Sequence, residues 1–373
     1  MILSAQTIRY QLTSSMGQAF SCWTSSQTVQ KKFYRGKFHK KKRCFGLVFP
    51  FPCEYSGDLT EACLTKWASG FRCEDVTGQT LQELLEEAFR RKHPKSRLDI
   101  TVILNDAAGT LLSSIRKHPK CRIAVSLADS FHACYVKESR SCETTTTEDN
   151  NVFINSVLGA LGDNGCLQEI LNEYDKDLDH QSINPKRQIL EKMVSMTYIA
   201  EIVRLVLMQL EQKGLLFSST ENRSVLNKKE CFTADFVSLI ESDKSEHYLL
   251  TDYVLRQLQV EHYTIDDCTI VSYVVHTVLK RAAQLAAAGL AVLINRMNST
   301  DVTVAVDGAL NRYHPDFLGH LLDHTRQLVK SGAEVKFISS YYGSVIGAAL
   351  AAKVPKSPHN PCITPNGRTR IQV

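Results

Sequence analysis

The stretch Leu98-Asp-Ile-Thr-Val-Ile-Leu-Asn-Asp106 decides the architecture. Its apolar run reads as a strand, and the carboxyl end of that strand delivers Asn105 and Asp106. Working back, Leu81, Leu84, Leu85, Ala88 and Phe89 repeat at helical spacing until His93-Pro94 stops the helix. Before them, Trp67 to Phe71 reads as a loop, and Phe45-Gly-Leu-Val-Phe-Pro-Phe-Pro-Cys53 reads as a strand ended by its two prolines. Strand, helix, strand is a parallel crossover unit, and such units place ligands at the carboxyl ends of their strands.

Forward of Asp106 the spacing predicts paired short strands at 122–127 and 132–137, then mostly helix from about 165 to 300. The turn between the two strands, Ala128-Asp-Ser-Phe131, contains no glycine, although a turn in that place normally cradles a phosphate. Asn184-Pro185 is expected to cap and open a long helix, with Ile199, Ile202, Val206 and Leu210 on one face. Asp301–Asp307 and Glu334–Ser339 read as two further strands, the Thr-rich segment 144–147 as an exposed loop, and 355–373 as a disordered tail.

Hydrophobic content of 43% and charged content of 22% are those of a globular chain, and 373 residues supply two cores of ordinary size. No uninterrupted apolar run reaches the ~18 residues of a membrane-spanning helix. The net charge of +5 is uneven, because residues 1–45 hold nine Lys/Arg and no acid, which leaves the rest at −4. The body therefore offers no electrostatic reason for nucleic-acid binding. The Lys40–Arg43 cluster fits a nuclear signal and the acid-free start fits a mitochondrial transit peptide, but the reading kept is a solvated basic approach to the first strand. Twelve cysteines without a Cys-x-x-Cys pair point to a reducing compartment, taken as the cytoplasm, and to no metal site.

Trp67-Ala-Ser-Gly-Phe71, Asn105-Asp-Ala-Ala-Gly-Thr110, Gly159-Ala-Leu-Gly-Asp-Asn-Gly165, Ser182-Ile-Asn-Pro185, Glu191-Lys-Met193, Glu201-Ile-Val-Arg204, Phe236-Val-Ser-Leu-Ile-Glu-Ser-Asp243, Val306-Asp-Gly308 and His314-Pro315 stand in one colinear order. In that order the chain resembles the hexokinase family from about residue 45 to 354. The resemblance implies an α/β fold of the two-domain actin-like ATPase (ribonuclease H-like) type, with a small domain remnant at 45–115, a large domain at 116–354 and a leader at 1–44 unrelated to the family. It also implies transfer of the γ-phosphoryl of Mg-ATP to the 6-hydroxyl of a hexose. That reaction depends on orienting the hydroxyl, taking its proton and stabilising phosphate charge.

Carried over residue by residue, the resemblance makes Asp106 the general base and keeps Asn105, Asp106 and Glu191 as sugar contacts. Pro50, Ala68, Ser69, His132 and Val157 stand where the family has polar sugar contacts. Each unpaired sugar hydroxyl costs roughly 1–3 kcal/mol, so five such losses abolish useful affinity. On the nucleotide side Asp307 and Gly308 are kept, whereas Ala309 replaces a serine and Ala128, Asp129, Ser130 and Phe131 replace a Gly-Thr-Gly-Thr loop. Asp129 adds a charge whose repulsion of a phosphate ~4–5 Å away is about 3–4 kcal/mol at an effective dielectric of 20. The family's other phosphate loop, Asp-Leu-Gly-Gly-Thr, does not occur in residues 1–44.

These substitutions favour a hexokinase-fold protein that is inactive or very weak, with a binding or regulatory use. A working hexokinase with atypical sugar contacts is the runner-up, and a non-functional fragment the third reading. Mg-ATP binding is expected to be impaired. A small domain lacking its phosphate-loop hairpin is expected to expose Leu47, Val48, Phe49 and Phe51 on a strand edge that a partner or a second copy covers.

Overall fold

The computed structural model describes residues 44–55, 59–67, 76–92, 99–128, 130–138, 151–217, 225–297, 299–308, 310 and 314–353. The leader up to 43, the Thr-rich segment, the tail, and site positions Ala68, Ser69, Asp129 and Ala309 lie outside the described residues. In chain order the first elements are β1 (Cys44–Val48), β2 (Cys53–Tyr55), β3 (Ala62–Leu64), α1 (Leu81–Lys92), β4 (Asp99–Leu104), α2 (Asp106–Lys117), β5 (Cys121–Leu127), β6 (Phe131–Glu138) and β7 (Asn151–Ser156). They are followed by α3 (Glu173–Gln181), α4 (Ile189–Val194), α5 (Met196–Gln212), α6 (Ala234–Glu241), α7 (Leu249–Gln257), α8 (Ile265–Arg296), β8 (Asp301–Asp307), α9 (Pro315–Leu328), β9 (Glu334–Ser339) and α10 (Gly343–Ala351).

The chain divides into two compact units that interleave along the sequence. The first comprises 1–126, 132–157 and 340–373, and the second 127–131 and 158–339. The sequence reading draws one cut at 115/116, whereas the contacts return the β6–β7 hairpin and α10 to the first unit.

In the first unit β1 and β4 pair in parallel, Val48 opposite Leu104, with α1 as the crossover. The expected strand–helix–strand unit is thus present. Its core gathers Phe45, Leu47, Phe51, Leu64, Leu81, Leu85, Ile100 and Ile103. This corrects the expectation of an exposed apolar surface: Leu47, Val48 and Phe51 are buried, and Phe49 stacks edge-on against Phe51 and Trp67. Burial follows because the β2–β3 antiparallel hairpin and α1 close over that face. The hairpin itself was not anticipated, since three-residue strands carry too little alternation to register. Helix α10 docks on α2 and β1 at glycine distance: a Cβ on Gly347 would stand 1.9 Å from the Gly109 carbonyl oxygen. β7, also unanticipated, pairs antiparallel with β6, Ser156 opposite Ala133.

The second unit is mainly helical; β8 and β9 are strands as the sequence suggests, and they pair in parallel. Asn184-Pro185 does not open a helix. Residues 182–188 turn, Lys186 and Gln188 take left-handed backbone, α4 starts at Ile189, and extended Ser195 separates it from α5. The buried face of α5 is centred on Ile199, Ile202, Val203 and Leu207, while Val206 and Leu210 are only half-buried, so the predicted stripe is rotated. A capping box of Thr264 and Asp267 starts α8, and Arg281 on it makes a two-pronged ion pair with buried Asp175 of α3. Among the described residues α8 alone is long and apolar enough, by length and composition, to cross a membrane, although Lys280 and Arg281 interrupt its apolar run. Most of its apolar stretch is buried inside the protein.

Candidate active site

The carboxyl ends of β1 and β4 lie side by side, held by a bond from the Phe49 N–H to the Leu104 carbonyl, so Pro50 and Asn105 flank the same end of the ladder. Asn105 is the N-cap of α2 and accepts the Ala107 N–H through Oδ1 at 3.0 Å. The simple capping role open to Asp106 therefore falls mainly to its neighbour. Asp106 Oδ2 accepts from Ser126 Oγ at 2.6 Å, and Oδ1 accepts the Ala107 N–H at 2.9 Å and faces His132 Nδ1 at 3.2 Å. Burial pushes the Asp106 carboxyl up, but His132, Ser126 and the Ala107 N–H outweigh it and hold the group below the ordinary carboxylate range. His132 is 1% exposed, and Val157 is buried just beyond the end of the β6–β7 ladder. The structure thus brings Pro50, Asn105, Asp106, His132 and Val157 to one end of the first unit's strands, and adds Ser126.

In the second unit Glu191 is fully buried on α4. Three residues earlier, Gln188 is 2% exposed, and neither atom of its amide has a hydrogen-bond partner. Both side chains crowd Gly159, where a Cβ would lie 2.8 Å from the Glu191 Cβ and 3.1 Å from Gln188 Oε1. A glycine at 159 is what leaves room for the pair. A buried amide without a partner costs about 1–3 kcal/mol of stability. Gln188 stands in left-handed backbone at the N-cap of α4, so helical spacing in the sequence carried no signal for it. Ser126 was findable, as the polar residue on the face opposite Ile123, Val125 and Leu127.

The turn after β5 is tied into the second unit by its backbone. The Ala128 N–H bonds within the turn to the Ser130 carbonyl, the Ala128 carbonyl accepts the Met196 N–H, and Ser130 is buried. Phe131, where a phosphate loop would offer a hydroxyl, is 1% exposed and lies against Gly289 of α8. A phosphate needs several convergent N–H groups; here the Ala128 N–H is already engaged and the side chain at 131 is an apolar core residue. Asp307 and Gly308 do sit beside this turn. Gly308 has φ of +116° and a Cβ there would stand 2.1 Å from the Leu127 carbonyl oxygen, so only glycine fits that contact.

A hexokinase family model matches residues 122–354, and a second one matches residues 11–115, which corrects the reading of residues 1–44 as a leader unrelated to the family. The chain belongs to the hexokinase family. Hexokinase-2 of Homo sapiens is 36% identical over 315 residues, 83% of this chain, and Hexokinase HKDC1 of Mus musculus is 34% identical over 322 residues. The chain spans about a third of the length of these curated relatives. Among solved structures, the hexokinase of Schistosoma mansoni complexed with glucose superposes with a TM-score of 0.83 at 29% identity, covering 94% of this chain and 78% of that one. A ROK family glucokinase from Streptomyces griseus, at 11% identity and a TM-score of 0.52, shares the fold alone, the actin-like ATPase architecture.

One further cluster in this hexokinase-family chain lies just after the Asp307-Gly308 segment. His314, immediately before α9, pairs through Nδ1 with Glu241 of α6, and its Nε2 lies 2.9 Å from Ser238 Oγ. His314 and Glu241 are 1% and 2% exposed. Removing one member of a buried pair strands the other, at about 3–5 kcal/mol. His314→Ala is therefore expected to lower the urea unfolding midpoint by that free energy, while His314→Ala combined with Glu241→Leu recovers part of it. A double variant no more stable than the single would show that the histidine acts by packing alone.

Proposed function

We propose that this chain is a hexokinase-family protein whose phosphoryl transfer is lost or very weak, and whose remaining use is binding or regulation. The observation that carries the reading is the turn at 128–131, with its first N–H bonded internally and Phe131 set in the core. The substrate class that the resemblance supplies is a hexose, with Asn105, Asp106 and Glu191 as the polar groups retained toward it. Pro50, His132 and Val157 oppose tight binding, because each leaves a sugar hydroxyl without a matched partner. A cytoplasmic setting is in keeping with Cys53, Cys63, Cys134, Cys166, Cys231 and Cys268, none of which forms a disulfide.

A working hexokinase with altered sugar contacts is the second reading, favoured by Asp106 holding its seat and by the unsatisfied Gln188 amide. Calorimetric melting in glucose separates the two. Ligand stabilisation follows RT ln(1 + [L]/Kd), so a site much weaker than tens of millimolar leaves the Tm where it was. No shift is expected at that concentration. A saturable rise of several degrees, lost in Gln188→Ala, would favour the working enzyme.

A further inference from the structure

The seat of Asp106 contains a conflict that one proton resolves. Asn105 Nδ2 lies 3.2 Å from His132 Nδ1, and Asp106 Oδ1 lies 3.2 Å from the same nitrogen. The Asn105 amide is oriented with its Oδ1 toward the Ala107 N–H at 3.0 Å, a donor it shares with Asp106 Oδ1 at 2.9 Å, and with its Nδ2 toward His132. A single ring nitrogen either accepts from the Asn105 amide or donates to the Asp106 carboxylate, but not both. A hydrogen bond to an ionised carboxylate is roughly twice as strong as one between neutral groups. The charged partner is the stronger one, which favours the proton on Nδ1.

We infer that His132 is a positioning residue that clamps Asp106, holding it as an anion and filling with Ser126 and the Ala107 N–H the acceptor sites a hydroxyl would use. A carboxylate offers about four such sites, and three are filled. The inference rests on Asp106 being the base position of the proposed function. It adds that the base is disarmed within its own seat, independently of the phosphate turn, since a carboxylate stabilised as an ion is a weaker proton acceptor. His132 is the titratable neighbour acting on Asp106, and Ser126 and the Ala107 N–H add neutral donors. With the Asp106 value depressed, the stability this carboxylate contributes is present above the ordinary range and is lost as pH falls through the depressed value.

The test reads protons rather than turnover, using the full chain with 15N-labelled histidine and 13C-labelled aspartate. His132 is expected to show a protonated Nδ1. In Asp106→Ala no acceptor is left at that position, so the Asn105 donor prevails and the proton moves to Nε2. In His132→Asn the Asp106 carboxyl titration moves up toward the ordinary range, whereas Ser126→Ala raises it while leaving the His132 tautomer unchanged. A wild-type ring protonated only at Nε2 overturns the clamp, as does an Asp106 titration that His132→Asn leaves in place. If His132→Asn does not fold, the tautomer change in Asp106→Ala decides alone. Measurable phosphorylation of glucose would defeat the proposed function without touching this result, so the two readings fail separately.

Discussion

Given saturating Mg-ATP and glucose, mannose or fructose, the purified chain is expected to form no sugar phosphate above background. Positioning and preorganised charge supply most of the acceleration in phosphoryl transfer, with orientation alone worth on the order of 10⁵ or more in effective molarity. Here the turn that would hold a phosphate bonds its first N–H internally, and the residue that would offer a hydroxyl is a buried phenylalanine. The expected rate is therefore at least about 10⁴-fold below that of a working hexokinase assayed alongside, even with one such element missing. A coupled assay of ADP release reads this directly. Turnover above that level that disappears in Asp106→Ala would establish an active kinase, and the substitutions at 128–131 would then be tolerated changes.

Gly347→Val is expected to have the largest effect on stability. The added Cβ would meet the Gly109 carbonyl oxygen at 1.9 Å, its carbon at 2.5 Å and its Cα at 2.7 Å, all of them backbone atoms that no rotamer change can move. Overpacking ordinarily costs about 1–3 kcal/mol, and more where the obstacle is rigid. Helix α10 would have to leave α2, and would also leave β1, where a Cβ on Gly46 would lie 2.2 Å from the Ala348 carbonyl oxygen. A loss of about 3 kcal/mol or more is expected from urea unfolding followed by circular dichroism. Gly319→Ala is the control: it lies inside α9 with nothing within 4 Å of its Cβ position, and is expected to be neutral or to stabilise by up to about 1 kcal/mol. Equal effects from the two would mean that the α2–α10 contact is not as close as the backbone places it.

The strand–helix–strand unit around Asn105 and Asp106 was legible in the sequence because its causes are local. An apolar run, helical spacing and a His-Pro stop act within a few residues of one another. The same holds for β5, β6, β8 and β9. The glycine-free turn at 128–131 was equally legible, since the absence of a residue type needs no coordinates. Family membership was carried by motifs in order, which is also a property of the chain.

What only the tertiary structure decided is whatever depends on residues distant in sequence. The strand at Cys44–Val48 reads as an exposed apolar edge, yet its side chains are buried because a hairpin without a periodic signature and a helix thirty residues on close over them. The helix expected from Asn184 begins only at Ile189, since two left-handed residues that no propensity favours turn the chain first. In the candidate site, His132 counts in the sequence as a lost sugar contact. Folding makes it a neighbour of Asp106 and Asn105, 26 and 27 residues away, and so sets the proton state of the residue on which any chemistry would depend. Local pattern fixes where a side chain stands along its element; what that side chain does to a carboxylate depends on which donors the fold brings within 3.2 Å.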